Sequence, residues 1–342
     1  MIIETAHGGS AWRVRERRSH PRLSLACWGY LAFLVGVGIV MHELGDRWWP
    51  ASLLLFGPRW PLACPLLLLL PWALAARNWR SAGALAGAAV ALLVPVLGFR
   101  VSIPGARSER ADLRLLSCNI HRQHLDAAKL AAFIAAERPD IVALQGWSDM
   151  HQEALFGESG WEIRRDGELL LASRFPLGDV QALEISDPDP DVPAGERGSA
   201  ALYEVKLPQG AIHLVSLHLA SPHAGLNSLA SDRGAKLADN IERRWRESEK
   251  LGEFLERVQG TLLLAGDFNT VSESPLFRER WAGFEDAFSE CGTGLGYTYL
   301  INHTQLRIDH ILADASCGFV RCRVGPDVNA AHRPLVADIE FR

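Results

Sequence analysis

LLLAGDFNT, residues 262–270, is the stretch whose reading decides the fold. Leu262 to Ala265 are apolar, Gly266 follows, and Asp267 and Asn269 then stand two apart around Phe268. An apolar run of this length, bounded by Gly260 and a polar cluster, predicts a strand buried on both faces. A simple Asx turn would account for the polar pair locally. A carboxylate and an amide at the tip of a buried strand also fit a strand mouth that opens into a cleft.

The same pattern recurs along the chain. LLSCN ends in Asn119, LVSLH ends in His218, RIDH holds Asp309, and AHRPLVADI places His332 just before a strand. Strands are predicted over 113–120, 141–145, 169–173, 201–205, 212–219, 261–267, 307–313 and 335–341. Helices are predicted over 126–137, within 228–258, and from Pro275 with Ser274 as N-cap. Many strands, several wholly apolar, with helices between them point to stacked sheets covered by helices. Polar residues at one end of each strand then converge on a common rim, with the functional groups on rigid elements.

The chain has 342 residues and is not uniform. Before residue 104 come three apolar stretches, at about 23–41, 51–76 and 81–99, the middle one broken by Gly57-Pro58-Arg59. Their length and composition predict three transmembrane helices. A cleaved signal peptide does not fit, because a polar leader precedes the first run and further apolar runs follow it. The leader carries Arg13, Arg15, Arg17, Arg18 and Arg22, and the second loop carries Arg77 and Arg80. Glu43 and Asp46 outnumber Arg47 in the first loop. Positive loops stay inside, so the expectation is a multi-pass protein of a bacterial cytoplasmic membrane with residues 104–342 outside the cytoplasm. Trp48, Trp49, Trp60 and Trp72 suit an interfacial belt.

Charge divides along the same line. Residues 1–103 hold 10 of the 35 basic and 4 of the 40 acidic side chains, which leaves the rest of the chain at a net charge of −11. Non-specific nucleic-acid binding lives on Lys and Arg against phosphates, so a nucleic-acid partner is disfavoured. Arg243, Arg244 and Arg246 lie in a glutamate-rich helical segment and read as a solvated, salt-bridged face. No cysteine pair has C-x-x-C spacing, which argues against a zinc site; a Cys317–Cys322 disulfide is conceivable.

Taken in order, LLSCNIH, RPDIVALQGW, LLASRFPL, LVSLHLAS, LLLAGDFNT, GYTY, RIDHIL and HRPLVADI resemble the endonuclease/exonuclease/phosphatase superfamily over about residues 112–342. The resemblance implies a DNase-I-like, four-layer α/β/β/α sandwich, after a leader and helices (1–103) and a linker (104–111). It looks like the membrane-anchored bacterial members, and it implies phosphoester hydrolysis with Mg²⁺ or Mn²⁺. By the same resemblance Asn119 and Asp309 would sit by the metal. Asp267 would orient or deprotonate the attacking water, and Asn269 would bind phosphoryl oxygens. His218 would touch the phosphate or assist the leaving group, and His332 would bind phosphate or act as acid or base.

Two positions depart from the family pattern. Gly146 stands where the family carries a metal-binding glutamate, and Ala331 stands where an aspartate would orient His332. Asp149 and Glu153 are the nearby carboxylates available in place of the first. The expected function is therefore a membrane-anchored phosphodiesterase or phosphatase acting on a lipid-linked or small phosphate ester. The alternatives are a catalytically reduced binding protein and, less favoured, a nuclease.

Overall fold

A computed structural model describes residues 20–102, 111–121, 125–148, 152–157, 160–186, 197–301 and 303–342. Arg13 to Arg18 of the leader, linker residues 104–110, Asp149 and the Glu153 side chain lie outside the described residues.

Two six-stranded sheets organise the region after residue 112. The first has the order Cys317–Val324 (β13), Leu335–Phe341 (β14), Leu113–Asn119 (β1), Ile141–Gln145 (β2), Leu169–Ser173 (β4), Glu162–Asp166 (β3). The second has the order Leu177–Leu183 (β5), Ser199–Leu207 (β6), Gly210–His218 (β7), Leu262–Asp267 (β8), Asp309–Ala313 (β12), Glu285–Asp286 (β9). A separate hairpin pairs Tyr299–Ile301 (β10) with Thr304–Leu306 (β11). Both sheets are mixed: β1 runs parallel to β2 and β7 parallel to β8, each with antiparallel neighbours.

Alternation along the strands builds the layers. Leu113, Leu115, Ile141, Ala143, Leu169 and Leu171 of the first sheet meet Ala201, Tyr203, Leu214, Leu263, Ala265 and Ile311 of the second in one buried core. Their sequence neighbours point the other way. Leu116, Val142, Leu144 and Leu170 pack on Leu130 and Ile134 of the helix Ala127–Glu137. Val215, Leu217, Leu262, Leu264 and Leu312 pack on Leu251 and Leu255 of the helix Ala235–Leu255. Strands covered on both faces explain why these segments read as continuous apolar runs. The result is the expected four-layer DNase-I-like α/β/β/α sandwich.

The β7–β8 pairing depends on Gly266. Its φ of +153° suits glycine, and a Cβ there would stand 1.9 Å from the carbonyl oxygen of Leu217. The tight parallel contact puts His218 level with Asp267.

Pro21–Leu44 and Trp79–Val96 are long and apolar enough to cross a membrane; Trp49–Phe56 and Trp60–Ala75 make a third candidate span, bent by 77° at its break. Gly57-Pro58 ends the first half of that pair, as proline cannot continue the helical hydrogen bonding. Arg59 fills the break. Its guanidinium donates to the carbonyls of Leu54, Leu55 and Val96 and lies 3.6 Å from Glu273. At the opposite end of the bundle, Ser24 meets Ser81 at 3.1 Å and Asn78 at 3.0 Å.

Arg244 corrects a sequence expectation. Arg246 does lie on the exposed face, 3.7 Å from Glu242. Arg244 is instead buried and bridges Asp46 (2.7 Å), the carbonyl of Asn269 (2.7 Å) and Thr270 Oγ1 (2.5 Å), with Phe56 against its guanidinium. A helix rich in charges hides one arginine because its partner lies in the loop after the first apolar helix. The conceivable Cys317–Cys322 disulfide does not form: both are free, buried thiols on β13. An extended strand holds residues five apart far beyond disulfide reach.

Gly266→Ala is expected to cost about 3 kcal/mol, through backbone strain and the clash with β7. The loss is read as a lower unfolding midpoint of the detergent-solubilised chain; an unchanged midpoint would refute the tight-pairing argument.

Candidate active site

Three adjacent strands bring their tips together. The register sets His218 of β7 and Asp309 of β12 on either side of Asp267. From the other sheet, Asn119 Nδ2 donates to Asp267 Oδ2 at 2.9 Å. Asn269 follows Asp267 with φ +49°, a left-handed turn that asparagine tolerates. Its N–H donates to Asp267 Oδ1 at 2.8 Å, and its Nδ2 donates to Leu219 O at 2.7 Å. Asn119, His218, Asp267, Asn269 and His332 line one cavity of about 600 Å³. Asp309 stands beside it, bonded to His332. All six candidate residues are therefore brought together.

Each histidine is oriented by a carboxylate. His332 Nδ1 lies 2.6 Å from Asp309 Oδ2, and its Nε2 lies 3.6 Å from Asp267 Oδ2. Ala331 thus does not leave His332 without an anionic partner, because Asp309 supplies one from β12. His218 Nδ1 lies 2.9 Å from Glu168 Oε1, and its Nε2 lies 3.6 Å from Asp267 Oδ2. Glu168 also accepts from Ser199 Oγ at 3.0 Å.

Glu168 was not singled out from the sequence. The signal was present: it is a polar residue abutting the apolar run LLLAS, but at the start of the strand rather than its end. His310 is buried between Asp286 Oδ1 and the Thr270 carbonyl, 3.1 and 2.9 Å away, and packs on Phe268 and Phe277. It braces the turn that carries Asn269.

The electrostatics follow from burial and pairing. Burial pushes the Asp267 carboxyl above its usual value and the Asp309 charge adds to this, against His332, His218 and the Asn119 hydrogen bond. Burial pulls His218 down, yet the Glu168 hydrogen bond and the charges of Asp267 and Glu168 outweigh it and hold the imidazole above its ordinary pKa. Burial pushes Glu168 up, but the hydrogen bond and charge of His218 hold it below the usual carboxylate value. The His218–Glu168 pair is thus charged over a window widened at both ends. Its contribution to stability is lost as pH rises through the His218 pKa or falls through that of Glu168.

Asp267, Asp309 and His332 are all buried and offer ligand atoms within 4.8 Å of one another. Asp309 Oδ1 is buried with no hydrogen-bond partner. A buried carboxylate oxygen left bare is costly, whereas a hard divalent cation takes such oxygens and keeps several waters. The donor set fits a cation held by Asp267 and Asp309. Asn119 stands beside these carboxylates: its Oδ1 accepts from His121 N–H at 2.9 Å, and its amide NH₂ steadies Asp267.

Position 146 admits no side chain. Gly146 has φ +67°, and a Cβ there would meet His121 Cβ at 2.5 Å and His121 N at 2.8 Å. The backbone of His121 occupies the space through which a glutamate would have to pass.

Two outcomes are expected. Glu168→Gln lowers the pKa of His218, read from the imidazole proton shifts of the metal-free chain; an unmoved titration refutes the pairing. Gly146→Glu costs about 2 kcal/mol through the positive φ and the clash, rather than adding a metal ligand. Stronger cation binding by that variant in calorimetry would show that position 146 can accept a ligand.

The sequence matches the Endonuclease/Exonuclease/phosphatase family over residues 116–332. Among solved structures, an endonuclease/exonuclease/phosphatase from Bacteroides vulgatus is 16% identical, covers 68% of this chain and 100% of its own, and superposes with a TM-score of 0.53. One from Beutenbergia cavernae is 20% identical over 68% of this chain and 72% of its own, at a TM-score of 0.50. D. rerio TDP2 complexed with a single-strand DNA product is 15% identical over 67% and 99%, at a TM-score of 0.51. At these identities the likeness is one of fold. No curated protein matches the sequence. With the family match spanning β1 to His332 and the sandwich assembled around it, the chain belongs to the endonuclease/exonuclease/phosphatase family.

Proposed function

We propose that the chain is a membrane-anchored, divalent-metal-dependent phosphoric-ester hydrolase acting outside the cytoplasm, a phosphodiesterase or phosphatase for a lipid-linked or small phosphate ester. One observation carries the reading. A carboxylate oxygen of Asp309 lies buried and unbonded in a cluster with Asp267 and His332, beside a second carboxylate-paired imidazole, His218.

Mg²⁺ or Mn²⁺, held by Asp267 and Asp309, would neutralise charge growing on the phosphoryl oxygens. The protein's own groups do the rest. Asp267, fixed by Asn119 Nδ2 and by the N–H of Asn269, orients the attacking water and takes its proton. His218, fixed through Nδ1 by Glu168, whose charge favours the protonated ring, turns Nε2 toward the cavity, where in that form it donates to a phosphoryl oxygen or to the departing oxygen. His332, fixed through Nδ1 by Asp309, presents Nε2 to the phosphate. The Asn269 amide supplies a neutral donor. Water oxygen bonds to phosphorus, the bond to the leaving oxygen breaks, and the proton lost by water is matched by one gained by the leaving group.

The anchoring and orientation rest on the helices. Ser24, Asn78 and Ser81 hydrogen-bond at one end of the bundle, close in sequence to Arg22, Arg77 and Arg80, while Asp46 and Arg59 bond the hydrolase domain at the other. With positive residues inside, the hydrolase domain lies outside. The net charge of −11 beyond residue 103 weighs against a nucleic-acid substrate. Gly146 favours a second reading, a catalytically reduced member that binds a phosphate ester without cleaving it.

The purified full chain is expected to hydrolyse bis-p-nitrophenyl phosphate with Mg²⁺ or Mn²⁺, and Asp267→Asn to lower kcat/KM by about 10²–10⁴-fold. Turnover no higher than that of the variant, with no calorimetric cation binding, would establish the second reading instead.

A further inference from the structure

The candidate cavity has two unlike ends. Asn119, His218, Asp267, Asn269 and His332 form the polar end, with Tyr299 against His332; Leu53, Phe56, Leu226, Leu306 and Ile308 line the other, beside Asn227 and Thr304. A small hydrophilic phosphate ester makes no use of such an apolar extension.

Leu53 and Phe56 come from the N-terminal apolar region, not from the sandwich. They sit on Trp49–Phe56, the short half of the bent pair, set at 77° to the half that follows. A helix so bent from its neighbour lies across the bundle rather than along it. Exposed tryptophans flank it, Trp48 before and Trp60 after, the arrangement of an interfacial segment. Leu306 and Ile308 share a buried cluster with Leu23, Leu34, Leu85 and Val96 of the long helices, and Leu226 and Tyr299 pack against it. The apolar end of the cavity is therefore continuous with the core of the membrane bundle. Its wall is fixed in place: Phe56 lies under the buried Arg244 guanidinium, 5.0 Å from ring centroid to Cζ, and Arg244 bonds Asn269 O at the polar end. Leu53 remains 38% exposed, so the groove is open on the side of the interfacial helix.

Resting on the phosphoesterase reading, we propose that the substrate is a phosphate ester of a bilayer lipid, drawn up headgroup first. Its apolar chain stays in the groove between Trp49–Phe56 and the β10–β11 hairpin while its phosphate reaches Asp267 and the two histidines. In such a groove a long acyl chain reaches the site without being exposed to water.

The full chain in phosphatidylcholine nanodiscs tests this. The probes are dioleoyl phosphatidic acid and dioleoyl phosphatidylglycerol, their dibutyryl counterparts, and bis-p-nitrophenyl phosphate. At least one dioleoyl ester is expected to exceed its dibutyryl counterpart in kcat/KM by about 100-fold, and Leu53→Glu combined with Leu226→Glu to cut that ratio by at least tenfold. Equal values for the two chain lengths, or a ratio unmoved by the substitutions, overturn the proposal. Turnover of bis-p-nitrophenyl phosphate without turnover of either lipid overturns it while leaving the phosphoesterase reading intact; no turnover of any probe overturns both. Photo-crosslinking gives a readout independent of turnover. A diazirine on the acyl chain of phosphatidic acid is expected to label residues 49–56 and 299–308, and labelling confined to the outward faces of the long helices counts against the groove.

Discussion

The site depends on one hydrogen-bonded arrangement, in which β8 is clasped between a parallel β7 and an antiparallel β12. Register there is not free. Side chains alternate with a period of two, so a slip of one residue would turn Leu263 and Ala265 out of the inter-sheet core. Because the core fixes the register, it also fixes His218 and Asp309 beside Asp267. Gly266 lets β7 come close enough for this. The second sheet, stacked face to face on the first, then brings Asn119 across the gap to the same carboxylate. Packing sets the chemistry in place.

Within that frame the charges are distributed in pairs rather than pooled. Asp309 orients His332, Glu168 orients His218, and Asp267 lies 3.6 Å from the inner nitrogen of each ring. The missing glutamate at 146 is no simple deletion, since His121 has closed over the position and its N–H is satisfied by Asn119 Oδ1. The anionic oxygens left for a cation come from β8 and β12.

Much of this was legible in the sequence because burial writes a plain signal. Strands at 141–145, 169–173 and 335–341 were mainly apolar, and their observed bounds are the same. The six site residues were found because polar groups ending apolar runs have few structural uses. β3, β5 and β13 escaped notice. All three carry exposed or half-exposed polar residues, such as Glu162, Arg164, Asp179, Gln181, Arg321 and Arg323, and all three are edge strands, where polar character protects against pairing with other chains. Arg244 was misread for a different reason. Its partner, Asp46, is 198 residues away, and no local pattern distinguishes a buried arginine from a solvated one on the same helix.

The Asp46–Arg244 and Arg59–Glu273 contacts have a consequence for how the molecule comes into being. The N-terminal helices precede the sandwich in the chain, so both loop charges, Asp46 and Arg59, are made before the residues that receive them. On docking, the sandwich's buried arginine and glutamate gain these counter-charges in addition to the contacts that they make within it to Asn269, Thr270, Ser272 and Arg307. A protease severing the two parts would leave ionised groups in apolar surroundings without their counter-charges, a state several kcal/mol less stable.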